Sequence, residues 1–246
     1  MSENRFPAWQ GRTAMLLGES GLGRLAASRV LVVGVGGVGS CAAEMLVRAG
    51  VGHIALIDSD EVSESNINRQ LIALHSTVGR KKVEVLRDRL TDINPSLEVL
   101  TLDEYISEEN VSQCIGERLF GEKPDFVVDA IDTLSPKIAL IQYCLANGIH
   151  LVSSMGSGAK TDVTSVRIAD ISKTYQCPLA HMLRKRLHKL GIRDGFTAVF
   201  SAELPRTGSL VLEESRNKKS QVGTISYLPA VFGCACAQVA IDDITK

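Results

Sequence analysis

The stretch "RVLVVGVGGVGS", residues 29–40, decides the fold. Its first half is an unbroken aliphatic run, as a strand buried on both faces requires. Its second half, Gly34-Val-Gly36-Gly37-Val-Gly39, has G-x-G-x-x-G spacing. Glycines let a strand turn tightly into a helix and let the backbone approach a phosphate. The helix start adds free N–H groups and partial positive charge. "SCAAEMLVRAG" (40–50) reads as that helix, capped by Gly50. "HIALID" (53–58) is the next strand and ends in Asp58, where an acid accepts hydrogen bonds from ribose hydroxyls. Strand, turn, helix and acid in this register point to a bound nucleotide.

The same alternation continues outward. "RKKVEVLRDRLTDIN" (80–94) has Val83, Leu86, Leu90 and Ile93 at helical spacing and stops at Asn94-Pro95. "LEVLTLDEY" (97–105), "DFVVDAID" (125–132) and "HLVSSMG" (150–156) read as strands. "EENVSQCIGERL" (108–119) and "SPKIALIQYCLANG" (135–148) read as helices. This predicts an α/β fold: a Rossmann-like, mostly parallel sheet with helices on both faces. Before it, "GRTAMLLGESGLGRLAAS" (11–28) reads as two short helical pieces with Leu16, Leu17, Leu22 and Leu25 inward. After it come a strand, "SVRIADIS" (165–172), and an amphipathic helix, "PLAHMLRKRLHKLG" (178–191), with Leu179, Leu183, Leu187 and Leu190 inward. "FTAVFSAEL" (196–204) is a further strand, and 205–222 reads as a mobile loop. With no repeat or linker, residues 1–246 read as one domain: a nucleotide-binding core (10–160) and a substrate-facing C-terminal extension (161–246).

The net charge of −1 excludes a strong overall field, but the charge is uneven. Residues 171–220 hold ten Lys/Arg and four acids, which leaves −7 on the rest of the chain. Such a basic segment suits a polyanion. Six cysteines show no C-x-x-C pair, so a structural zinc is not expected, and most of them read as small buried residues of a reducing cytoplasm. No charged-then-apolar leader opens the chain. The apolar run from Ile225 to Ile241 carries Pro229, Gly233 and Gln238 and reads as a buried closing segment, with no stable membrane span expected.

A redox dinucleotide needs only the turn and the acid. Triphosphate turnover also needs cations. Asn66 and Arg69, three residues apart in "SNINRQ", share one side of a helical turn, and Lys82 begins the next helix. Asp132 follows the fourth strand, at the sheet edge where open α/β folds bind ligands. A helix cap for Asn66 and a surface ion pair for Arg69 are each plausible alone, but their joint placement beside a nucleotide turn favours the phosphate reading. Gln70 receives no role.

"GVGGVGS", "LIDSDEVSESNINRQ", "VGRKKVEV", "INPSLEV" and "DAIDTLSPK" together resemble the ubiquitin-activating-type adenylyltransferases, over about residues 10–160. That resemblance implies activation of a carboxylate as an acyl-adenylate with ATP and Mg2+. It implies that Asp58 holds the ribose, that Asn66, Arg69 and Lys82 hold the phosphates, and that Asp132 holds Mg2+ or the triphosphate. Arg12, in "GRTAMLLG", matches an arginine that reaches the neighbouring subunit's nucleotide, so a homodimer is implied. A monovalent cation is a further candidate ligand.

"DAIDTLSPK", "VGGVGSCAAE" and "ADISKTYQCPLAHMLRKRL" also resemble the branch that dehydrates threonylcarbamoyladenosine at position 37 of tRNA. On that resemblance, the threonyl carboxylate is adenylated and then cyclises. Arg184, Lys185, Arg186 and Lys189 are the tRNA-binding candidates, against a merely solvated helix face. The cyclisation is intramolecular, so none of Cys177, Cys234 or Cys236 is nominated as a nucleophile. The alternative enzyme activates the C-terminal glycine of a small sulfur-carrier protein. A dehydrogenase leaves Asn66, Arg69 and Lys82 without a task. A cysteine desulfurase or sulfur acceptor is a further candidate partner, but a non-catalytic adaptor for such a system would have no use for these cations.

Overall fold

The computed structural model describes residues 6–212 and 220–246. The first α-helix among the described residues is α1 (Gly11–Ala27), broken at Gly18, where φ is 69°. Two helical pieces therefore form, as the sequence predicts. Leu17, Leu22 and Leu25 turn inward, but Leu16 is 83% exposed.

The central unit is β1 (Arg29–Val33), α2 (Gly39–Ala49), β2 (His53–Ile57), α3 (Lys82–Ile93) and β3 (Glu98–Leu102). It continues through β4 (Phe126–Asp129), α4 (Leu134–Ala146) and β5 (His150–Ser154). β6 (Val166–Asp170), α5 (Pro178–Lys189) and β7 (Thr197–Ser201) follow. The sheet order is β3-β2-β1-β4-β5-β7-β6, parallel except for β6, which runs antiparallel to β7. β1 pairs with β2 on one side and β4 on the other, with Val33 level with Ile57 and Asp129. The three strands therefore end together where the strand order reverses, and this is the crevice in which such sheets bind ligands.

Alternate strand residues feed two cores. Val30, Val32 and Leu56 pack with α2, α3 and the last helix, α6 (Leu228–Thr245). Leu31, Val33 and Ile57 pack with α4 and α5. α6 is long and apolar enough, by length and composition, to cross a membrane (mean hydropathy 1.3). Leu228, Phe232, Cys236 and Ala240 recur every four residues and are buried in the core shared with α2 and the sheet. The closing-segment expectation stands.

Three local expectations change. Within 108–119 the helix is confined to residues 111–117, and most of it, Gln113–Glu117, is wound as a π-helix. Val111, Cys114 and Ile115 are buried, but Gly116 sits inside this short stretch and Gly121 (φ 70°) follows it, which disfavours a longer helix. Leu190 is half exposed, because α5 ends at Lys189 and Gly191 (φ 79°) reverses the chain. Ala180 takes an inward position instead. The 205–222 loop contains an antiparallel pair, β8 (Leu210–Leu212) and β9 (Ser220–Val222). Residues 213–219, with Arg216, Lys218 and Lys219, lie outside the described residues. Five of the six cysteines are buried and Cys234 is exposed.

A candidate nucleotide site at the carboxyl ends of β1, β2 and β4

The turn after β1 is closed by its own backbone. Gly34 (φ 84°) donates its N–H to the Ile57 carbonyl at 2.8 Å. A Cβ at Gly39 would stand 1.8 Å from the Gly34 oxygen, so only hydrogen fits there. The Gly36 carbonyl accepts from the Ser40 backbone N–H (3.0 Å) and hydroxyl (2.6 Å), which starts α2 directly behind the turn. Asp58 grips the same turn. Its Oδ2 accepts the Val35 N–H at 2.7 Å and its Oδ1 accepts the Asp60 N–H at 2.9 Å. Burial pulls this carboxyl above the usual carboxylate range, against Lys82 and the two N–H bonds. The Asp58 oxygens keep lone pairs for further donors.

Beside the turn lies the "SNINRQ" segment. A 3-10 turn, Glu64–Asn66, is capped by Asn66 itself, whose Oδ1 accepts the Ser63 N–H at 3.2 Å. The cap reading is therefore correct for one end of that buried amide. The surface-ion-pair reading of Arg69 fails. Its Nη1 donates to the Ser65 carbonyl and to Asn68 Oδ1, both at 2.8 Å, and no carboxylate pairs with it among the described residues. Its guanidinium keeps further donors. Lys82, the first residue of α3, has a side chain only 7% exposed and pairs with the exposed Asp60 at 2.7 Å. Asp132 is exposed, three residues past the end of β4. Gln70 is 8% exposed, and its Oε1 is buried without a hydrogen-bond partner among the described residues. Leaving such a group unpaired costs about 1–3 kcal/mol.

Glycine turn, Asp58 and two cations thus lie at one sheet edge, with Asp132 on the loop after β4. Negative phosphate can be bound and polarised there. The family model described as the ThiF family matches residues 10–246. The chain belongs to the ThiF family. It is 41% identical to the tRNA threonylcarbamoyladenosine dehydratase of Bacillus subtilis (strain 168), over 96% of this chain and 94% of that one. The solved structure of the Escherichia coli tRNA N6-threonylcarbamoyladenosine dehydratase in complex with ATP is similar at a TM-score of 0.87 and 37% identity. That match covers 97% of this chain and 96% of the other. The molybdopterin-synthase adenylyltransferase of Escherichia coli (strain K12) is 35% identical, over 64% of this chain and 61% of its own length.

Sequence reasoning missed one buried cluster in this ThiF-family chain. Lys137, in α4, and Asp129, at the end of β4, are both fully buried and pair at 2.7 Å. Ser153 of β5 donates to Asp129 Oδ2 at 2.6 Å and accepts from Lys137 at 3.1 Å. Asp129 Oδ1 accepts the Ile131 N–H at 3.1 Å, which sets the start of the loop that carries Asp132. The available signal was a strand-end Asp eight residues before a Lys in an otherwise apolar helix.

The remaining candidates of the ThiF-family chain lie elsewhere. In α5, Lys185, Arg186 and Lys189 are exposed. Arg184 is half-buried and donates to the Thr174 hydroxyl, so it is already tied to the fold. Arg12 is exposed near the start of α1. Gln10, two residues earlier, packs at Gly50, the end of α2 opposite the glycine turn. About 16 Å of helix separates those ends, so the fold does not bring Arg12 into this chain's own site.

Proposed function

We propose that the protein is an ATP-dependent tRNA threonylcarbamoyladenosine dehydratase. The observation that carries this reading is the extent of the likeness. It runs through the basic extension for the dehydratases, whereas for the carrier-protein adenylyltransferase it covers only about two thirds of the chain.

A carboxylate is a poor electrophile. In the proposed reaction the threonyl carboxylate oxygen attacks the α-phosphorus of ATP, and the bond to the β-phosphate oxygen breaks. Pyrophosphate leaves and an acyl-adenylate remains. A neighbouring oxygen or nitrogen of the same modified nucleoside then attacks the acyl carbon and loses its proton. AMP leaves with one carboxylate oxygen, so the net change in the nucleoside is the loss of water. Positioning and charge neutralisation are the protein's main tasks. Asp58 takes the ribose hydroxyls, and Asn66, Arg69 and Lys82 take the phosphates along the turn Gly34–Gly39.

Among the described residues no three His, Cys, Asp or Glu side chains cluster as a metal cage. Mg2+ needs only one or two carboxylates beside nucleotide phosphates, and Asp132 fits that donor set. When bound, the ion would neutralise phosphate charge. Arg12 serves the nucleotide of a second copy, consistent with its distance from its own site, so the working unit is a homodimer. Lys185, Arg186 and Lys189 face the tRNA backbone. Residues 1–246 act as one ATP-binding domain, in the cytoplasm where tRNA is modified.

Release of AMP tests this reading against the carrier-protein alternative. It is expected only with tRNA bearing threonylcarbamoyladenosine. Release driven instead by a small protein ending in glycine, with that tRNA inert, would reverse the assignment.

A further inference from the structure

Gln70 is fixed in place but not satisfied. Its backbone N–H donates to the Asn66 carbonyl at 3.0 Å, and its carbonyl accepts from Ala73 at 3.0 Å. Its Oε1 is the one buried side-chain polar atom without a partner among the described residues. Native folds leave few such groups unpaired, and each calls for an explanation.

The explanation lies in what the amide faces. Gln70 Nε2 stands 3.6 Å from the position a Cβ would take on Gly36. The Arg69 carbonyl stands 3.1 Å from the corresponding position on Gly37. Residues 69 and 70 therefore lie directly against the turn. Gly36 is the second glycine of the motif, where the backbone comes nearest a phosphate. A carboxamide has a donor end and an acceptor end, and half a turn about its last torsion exchanges them. The donor end, Nε2, is the end that faces the turn, and a phosphate oxygen bound there supplies its acceptor.

Resting on the ATP-dependent reading above, we propose that Gln70 binds the α-phosphate of ATP. Its Nε2–H donates to a non-bridging oxygen of the phosphoryl group that is attacked, opposite the glycine turn. Arg69 and Lys82 are left to the charge of the leaving pyrophosphate. A neutral donor suits this place, because it holds the α-phosphate without repelling either cation.

The test uses Gln70→Met in the full chain. Methionine keeps the length of the side chain and removes both the unpaired oxygen and the donor. The expected result is a ligand-free Tm equal to or above that of the parent. Affinities for ATP and for AMP, measured by calorimetric titration, fall together by about ten- to hundredfold. Gln70→Glu, which keeps the shape but replaces the donor with a second acceptor, serves as the second variant and should bind more weakly still. Unchanged affinities overturn the proposal. So does a loss confined to ATP, which would move the contact beyond the α-phosphate. A Tm that falls in step with affinity in both variants would make Gln70 a prop for the turn. A parent protein that binds no ATP would overturn the ATP-dependent reading itself, and that outcome is distinct from the others.

Discussion

Arg69→Ala is expected to slow AMP formation about 10²–10³-fold while the protein stays folded, because one preorganised donor to transferring phosphate is typically worth that much. The fold loses little. Arg69 gives up two exposed hydrogen bonds, to Ser65 and Asn68, and strands no carboxylate. Lys82→Ala should be similarly slow. Its partner Asp60 is 67% exposed, so water replaces the ammonium at small cost. Steady-state rates with saturating modified tRNA, beside thermal melts of both variants, make the check. Full activity in either variant removes its phosphate role. A large fall in Tm in both would make the loss of rate a folding effect.

Lys137→Ala is expected to do the reverse, striking stability first. It leaves Asp129 charged at zero exposure, with only Ser153 and the Ile131 N–H as partners. Removing one member of a buried pair costs about 3–5 kcal/mol. For a chain of this size that corresponds to a fall in Tm of about 6–20 °C. The double variant Lys137→Met with Asp129→Asn removes both charges, keeps an acceptor for Ile131, and is expected to recover most of the loss. A single variant that melts with the parent would show that the pair carries no such weight.

What could be read in the sequence was the chemistry that is local. The glycine turn, its strand and Asp58 sit within thirty residues, and each is recognisable from residue type and spacing alone. The α/β alternation was legible because strands buried on both faces must be continuously apolar. Features that depend on tertiary neighbours were not. Lys137 reads as one more helix lysine until β4 and β5 place Asp129 and Ser153 around it. Gln70 acquires meaning only when its amide is seen against Gly36. Leu16 and Leu190 are apolar residues at helical spacing, yet a break at Gly18 and a reversal at Gly191 leave both exposed. The basic count of residues 171–220 was correct as composition. It does not show that Arg184 turns inward to Thr174 while Lys185, Arg186 and Lys189 stay outside.

The central claim is that this site spends ATP to dehydrate a modified tRNA nucleoside. Mass spectrometry of nucleosides from tRNA incubated with the purified protein tests it most directly. With ATP and Mg2+, threonylcarbamoyladenosine should be replaced by a species lighter by one water, and omitting ATP should leave it intact. Unchanged threonylcarbamoyladenosine in the presence of folded, ATP-binding protein would contradict the account.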